Sequence, residues 1–221
     1  MPKRTRARYD QNYAAIEDDI LKMGSLVQDA IRNSLESLKQ RDTNLAQEVI
    51  DRDLQINDLR FKIEEACLTL IATQQPTAGD LRAVVAAMNI VVDMERMADH
   101  ASGIAKTVIR MGDEPLLKPL IDLPRMADLA REMLRDALDA FIKRDALGAK
   151  AIAPRDEEMD LLYKAIFDEL VEIMAHKPDS VERATYLLWC AHNLERIGDR
   201  VINIVERVIF MTTGDMRELT F

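Results

Sequence analysis

The sequence predicts an all-α protein of two tandem three-helix bundles, six long antiparallel helices joined by short turns. Three observations carry that expectation. Turn signals are sparse, with only seven Gly and seven Pro in 221 residues, and they punctuate the chain at Pro76 and Gly79, then at Gly112, Pro115, Pro119 and Pro124, then at Gly148 and at Pro178. Between these points apolar residues recur with helical period, and no segment alternates with the period of a strand. The two halves also repeat. At an offset of 103, Met23, Leu26, Arg32, Leu35, Arg41, Asp42, Ala46, Arg52, Asp53, Leu59 and Ile63 meet identical residues, so that Arg41-Asp42 becomes Arg144-Asp145. Further on the offset is 100, and Glu95, Arg96, Asp99, Ile104, Val108, Ile109 and Met111 meet Glu195, Arg196, Asp199, Ile204, Val208, Ile209 and Met211. The change falls at the Pro76 and Pro178 turns, where exposed connections tolerate insertion. The repeat divides the chain into residues 1–115 and 116–221.

The elements follow in order. The first helix is expected over 8–39, behind a basic cluster of Lys3, Arg4, Arg6 and Arg8 that lacks the apolar core of a secretory signal and reads as a solvated tail, with membrane contact as the lesser alternative. The second spans 44–73 and the third 78–111, opening after Pro76 with Thr77 as an N-cap three residues ahead of Asp80. The fourth covers 125–143 and the fifth 146–175. Pro154 lies inside the fifth, where the missing backbone donor either kinks or breaks the helix. The sixth covers 180–212, with Asp179 as N-cap three residues ahead of Glu182.

Composition bounds the function. A net charge of −9 repels phosphate backbones, which argues against nucleic acid as a partner. The longest nearly apolar stretch, Ala83 to Val92, is interrupted by Asn89 and is shorter than the ~20 residues of a membrane span. Any membrane association is therefore expected to be indirect. Cys67 and Cys190 sit in apolar helical patterns without Cys-x-x-Cys spacing, which suits buried reduced thiols and the cytoplasm.

The chemistry lies in repeated acids. Both third helices carry Glu-x-x-x-Asp, as Glu95 with Asp99 and Glu195 with Asp199, a spacing that stacks two carboxylates on one face. At ~100° per residue the Glu falls inside the apolar stripe centred on Val91 or Ala191, and the Asp near its edge. The second helices add Asp53 with Asn57, and Asp156 with Asp160, at equivalent places beside Ile56 and Met159. One such pair means little in helices this charged; four at equivalent positions mean more. Stacked carboxylates need protons, ion pairs or a cation, and oxygen ligands suit iron, manganese or magnesium, with zinc tolerated. The plainer alternative is an ion-pair network with Arg52, Arg96, Arg155 and Arg196 as counter-charges. The residues alone leave both open.

His100, His176 and His192 do not complete the Glu-x-x-His pattern of di-iron carboxylate oxidases. His192, three residues before Glu195, is expected as an outer or exposed helix histidine rather than a ligand. The methionines, among them Met88, Met94, Met97, Met111 and Met211, follow the apolar stripes and read as core filling. No Gly-rich phosphate loop, nucleophile elbow or Ser, His and acid triad is present, so the expectation is a non-enzyme.

Three stretches together resemble the PhoU family of bacterial phosphate-signalling regulators. They are Gln75-Pro76-Thr77-Ala78-Gly79-Asp80-Leu81-Arg82, Met94-Glu95-Arg96-Met97-Ala98-Asp99, and Asn193-Leu194-Glu195-Arg196-Ile197-Gly198-Asp199-Arg200 with Asn203-Ile204. The resemblance spans essentially the whole chain. It implies metal clusters on the acidic motifs, here Asp53, Asn57, Glu95, Asp99, Asp156, Asp160, Glu195 and Asp199, with iron or zinc foremost and manganese or magnesium compatible. It also implies repression of the phosphate-starvation response through a phosphate-sensing histidine kinase and the ATPase subunit of the phosphate transporter, with a homodimer as the expected assembly. Two departures stand out: Asn57 where an acid is expected, and Met97-Ala98 in place of Ile-Gly, mainly a packing change. The competing classes are a carboxylate-bridged metalloenzyme, a paralogue serving another transporter, and a structural helical protein whose acids pair with arginines.

Overall fold

A computed structural model describes residues 3–112 and 114–215. The helices are α1 (Lys3–Gln40), α2 (Thr43–Gln74), α3 (Gly79–Met111), α4 (Asp122–Lys143), α5 (Ala146–Lys150), α6 (Pro154–His176) and α7 (Val181–Thr213), with a 3-10 turn at Pro178–Ser180. No strand occurs among the described residues.

α1 starts five residues before its expected position. Its apolar stripe extends back to Tyr13 and Tyr9, both buried. Their hydroxyls donate to the carbonyls of Ala83 (3.3 Å) and Asp80 (3.1 Å) at the start of α3. Arg6 pairs with Asp10 at 3.0 Å and with Asp80, and its guanidinium lies 5.2 Å from the Tyr9 ring centroid. The segment is thus helical, with Arg6 paired to α3 although half exposed, and Arg8 is exposed as expected of a solvated residue. The side chains of Lys3 and Arg4 lie outside the described residues.

The repeated Arg-Asp pair is a turn device. Arg41 and Arg144 adopt φ 57° and 52°, ending α1 and α4, and the next residue caps the following helix. Asp42 accepts the N–H groups of Asn44 (2.9 Å) and Leu45 (3.0 Å); Asp145 accepts those of Leu147 (3.1 Å) and Gly148 (2.9 Å). The caps expected at Thr77 and Asp179 do not form. Ala78, at φ 47°, precedes α3 and Ser180 precedes α7, and neither makes a side-chain capping bond. Backbone turns serve instead: the Thr77 carbonyl accepts Asp80 N–H at 3.1 Å, and the Lys177 carbonyl accepts Ser180 N–H at 2.9 Å.

Pro154 breaks the fifth predicted helix. α5 ends at Lys150, a turn covers Ala151 to Ala153, and Pro154 opens α6, where its missing N–H is no loss. α4 begins at Asp122, three residues early, with Pro124 in its first turn for the same reason.

α1, α2 and α3 form one bundle; α4, α6 and α7 form the other, with α5 against α4 and α7. The most extensive contact in the molecule joins α3 to α7 across the bundles, supported by α1 against α4. Gly24 permits the second of these, because a Cβ there would collide with Leu138 Cδ1. One continuous apolar core runs through both bundles and includes Met94, Met97, Met111 and Met211. Cys67 and Cys190 are buried free thiols, each pushed up to about 12 by burial. Among the described residues, no helix is long and apolar enough to cross a membrane.

Candidate metal centre

Each bundle brings its four predicted oxygen-bearing residues to one helix–helix seam, α2 with α3 in the first half and α6 with α7 in the second. The seam opens to solvent. Glu95 and Glu195 keep 16% and 19% of their side-chain surface exposed, whereas Asp99 and Asp160 are exposed outright. The Glu therefore lies inside the apolar stripe and the Asp at its margin, as the helical angles require.

In the second half Asp156 is surrounded by charge of its own sign. Burial, then Asp160, Asp199 and Glu195, push its carboxyl up to about 6. Burial and Asp199 also raise Asp160 and Glu195, although Arg196 opposes the shift of Glu195. Arg196 is the counter-charge present, with Nε 3.5 Å from Glu195 and Nη1 3.1 Å from Asp199. Glu195 Oε2 is buried and has no hydrogen-bond donor; His192 Nδ1 stands 3.6 Å from it, on a half-exposed ring beside Tyr163. Gly198 lets α6 pack closely on α7, since a Cβ there would press on Met159 Cγ at 3.2 Å and lie 3.5 Å from Asp156 Oδ1.

In the first half burial, Asp99 and Glu95 raise the Asp53 carboxyl, while Lys106 and the Asn57 amide work against the rise. Asn57 Nδ2 lies 3.5 Å from Asp53 Oδ2, leaving Asp53 Oδ1 and Asn57 Oδ1 buried without partners. Arg60, which the sequence reading passed over, places Nη1 3.4 Å from Glu95 and Nε 3.3 Å from Glu64. It was legible as a member of the same α2 face, three residues beyond Asn57.

Of the four arginines proposed as counter-charges, Arg96 (3.9 Å from Glu95) and Arg196 face the acids. Arg52 turns to Glu48, and Arg155 to Glu132 and Asp136. His100 lies away from the seam: its Nδ1 meets Asn193 Oδ1 at 3.0 Å between α3 and α7, in the place where Asp93 meets Arg200 and Asn203 one repeat on. His176 is exposed. Among the described residues no three Asp, Glu, His or Cys side chains close around a common point as a finished metal site. Four hard carboxylates against one arginine, with Glu195 Oε2 accepting no hydrogen bond although Arg196 Nε lies 3.5 Å and His192 Nδ1 3.6 Å from it, nevertheless suit a divalent cation.

The PhoU domain pattern matches this chain twice, over residues 20–108 and 123–208. The chain belongs to the PhoU family. The phosphate-specific transport system accessory protein PhoU homolog of Clostridium acetobutylicum is 36% identical over 216 residues, covering 97% of this chain and 99% of that protein. The counterpart from Aquifex aeolicus is 37% identical over 200 residues, 90% of each chain. Among solved structures, PhoU from Pseudomonas aeruginosa superposes with a TM-score of 0.89 at 32% identity, over 94% of this chain and 100% of that one. The phosphate transport system regulatory protein PhoU from Streptococcus pneumoniae gives 0.89 at 34% identity, over 96% and 100%. The all-α fold of two three-helix bundles is therefore the PhoU fold, and the relatives are named as accessory and regulatory proteins of phosphate transport.

Proposed function

We propose that this protein is a metal-binding regulatory adaptor of phosphate uptake, a repressor of the phosphate-starvation response without turnover of its own. The observation that carries the reading is the family match over both repeats, to relatives named as accessory proteins of the phosphate-specific transport system. In this reading the chain works in the cytoplasm as a homodimer and contacts a phosphate-sensing histidine kinase and the ATPase subunit of the phosphate transporter. Asp53, Asn57, Glu95 and Asp99 in the first bundle and Asp156, Asp160, Glu195 and Asp199 in the second are the candidate ligands of a cation, which supplies positive charge where two helices present acids to one another across a seam. Its role is to fix that seam, so the chain's own carboxylates act as ligands and perform no proton transfer on a substrate.

Deletion of the coding sequence tests the reading. Phosphate-responsive reporters are expected to rise several-fold in phosphate-rich medium, and complementation with the wild-type chain to restore repression. Reporters that stay silent in the deletion strain would assign the chain to another transporter or signalling system.

A further inference from the structure

Alignment of the halves by their own repeat shows four differences around the two acidic quartets, all in one direction. Asp160 of the second half corresponds to Asn57, so the first half lacks one carboxylate. Tyr163 corresponds to Arg60, whose guanidinium reaches Glu95 at 3.4 Å. Gly198 corresponds to Ala98, a buried residue that adds a methyl where Gly198 has none. Glu206 corresponds to Lys106, and Lys106 opposes the charge of Asp53. Each change removes negative charge, adds positive charge or takes up space in the first half.

We infer that the two quartets have diverged in what neutralises them: the first is neutralised within the chain, chiefly by Arg60, and only the second takes up a divalent cation. The inference rests on the metal reading above and narrows it to α6 and α7. A guanidinium stays charged at any physiological pH, so a divalent ion entering the first seam meets a fixed like charge that cannot deprotonate out of its way. At the effective dielectric of a half-exposed site, that charge and the lost carboxylate together weaken binding by at least roughly 100-fold. Arg60 is shared with Glu64 at 3.3 Å, which holds it in place on the α2 side of the seam. The second half has no equivalent of Arg60 and sets four carboxylates against Arg196.

Elemental analysis and melting of the full chain test this, after chelator treatment, reloading with Mn2+ alone and removal of free ion. Glu95→Gln should keep the wild-type manganese content and its stabilisation by Mn2+, whereas Glu195→Gln should lose both. Asp160→Asn, an exposed position that imposes the first-half residue without touching the core, should lower Mn2+ affinity at least tenfold. The double variant N57D/R60Y should bring the content to about twice that of wild type. Equal loss from Glu95→Gln and Glu195→Gln would overturn the inference while leaving the metal reading intact. A wild-type chain that neither retains manganese nor melts higher with it would overturn the metal reading, and this inference with it.

Discussion

At the scale of single residues, Asp156 contributes to the response of the metal-free protein to pH. Its carboxyl is pushed up to about 6 by burial and three neighbouring acids, against ~3.9 in an unfolded chain. The charged form is therefore disfavoured by folding, and stability rises as pH falls from above 6 towards the unfolded value. Chelated protein should melt higher at pH 5 than at pH 7.5. The share due to this residue, screened by its partial exposure, is on the order of 1 kcal/mol, or roughly 2–4 °C. The wild-type minus Asp156→Asn difference isolates it from other titrating groups, and a difference that does not change with pH would refute the assignment. The acids themselves were legible because i, i+4 spacing fixes which side chains share a face. Their counter-charges were legible only in part, since Arg96 and Arg196 face the acids but chain neighbours diverge by ~100° around a helix. Arg52 and Arg155 adjoin Asp53 and Asp156 in sequence yet point to other acids, while Arg60, several residues away, reaches the seam.

For whole helices, periodicity located every long element, and the misreadings lie at the ends, where local bonds decide. The first helix runs back to Lys3, and ahead of its expected start Arg6 pairs with Asp80 of α3, a tertiary contact that no local pattern reveals. The capping pattern after Pro76 and Pro178 misled because a proline-led backbone turn already engages the amides that a cap would serve. The true caps were visible as the repeated Arg-Asp pair without being recognised as such. Asp42 accepts two otherwise free amides at the head of the 32-residue α2. Asp42→Ala should therefore cost about 1 kcal/mol, measured by urea denaturation with unchanged slope. Asp42→Asn should recover most of the loss.

Across the molecule the apolar core is continuous, and α3 against α7 is its largest joint. The two repeats are thus units of sequence pattern but not of cooperative unfolding. Calorimetry should show one transition for both halves. Ile90, fully buried on α3, makes the point testable: Ile90→Ala should destabilise by about 2–5 kcal/mol and lower that single peak rather than split it. Two separated peaks would show that the joint is weaker than its burial implies. The repeat was legible from sequence, whereas the joint was not. A helix that buries residues against two bundles shows only a wider apolar stripe, without saying which neighbour covers which side.

The opening turn of α3 holds both distant ends of the fold. Arg6, Tyr9 and Tyr13 of α1 grip Asp80 and Ala83, and Arg82 extends its Nε to within 3.5 Å of the Met211 carbonyl near the close of α7. Topologically the helices make a closed circuit, clasped by backbone and side-chain bonds at the start of α3. A circular permutant opened in the 114–121 connection and rejoined across the α1 and α7 ends should therefore keep the hold of α3 on both helices.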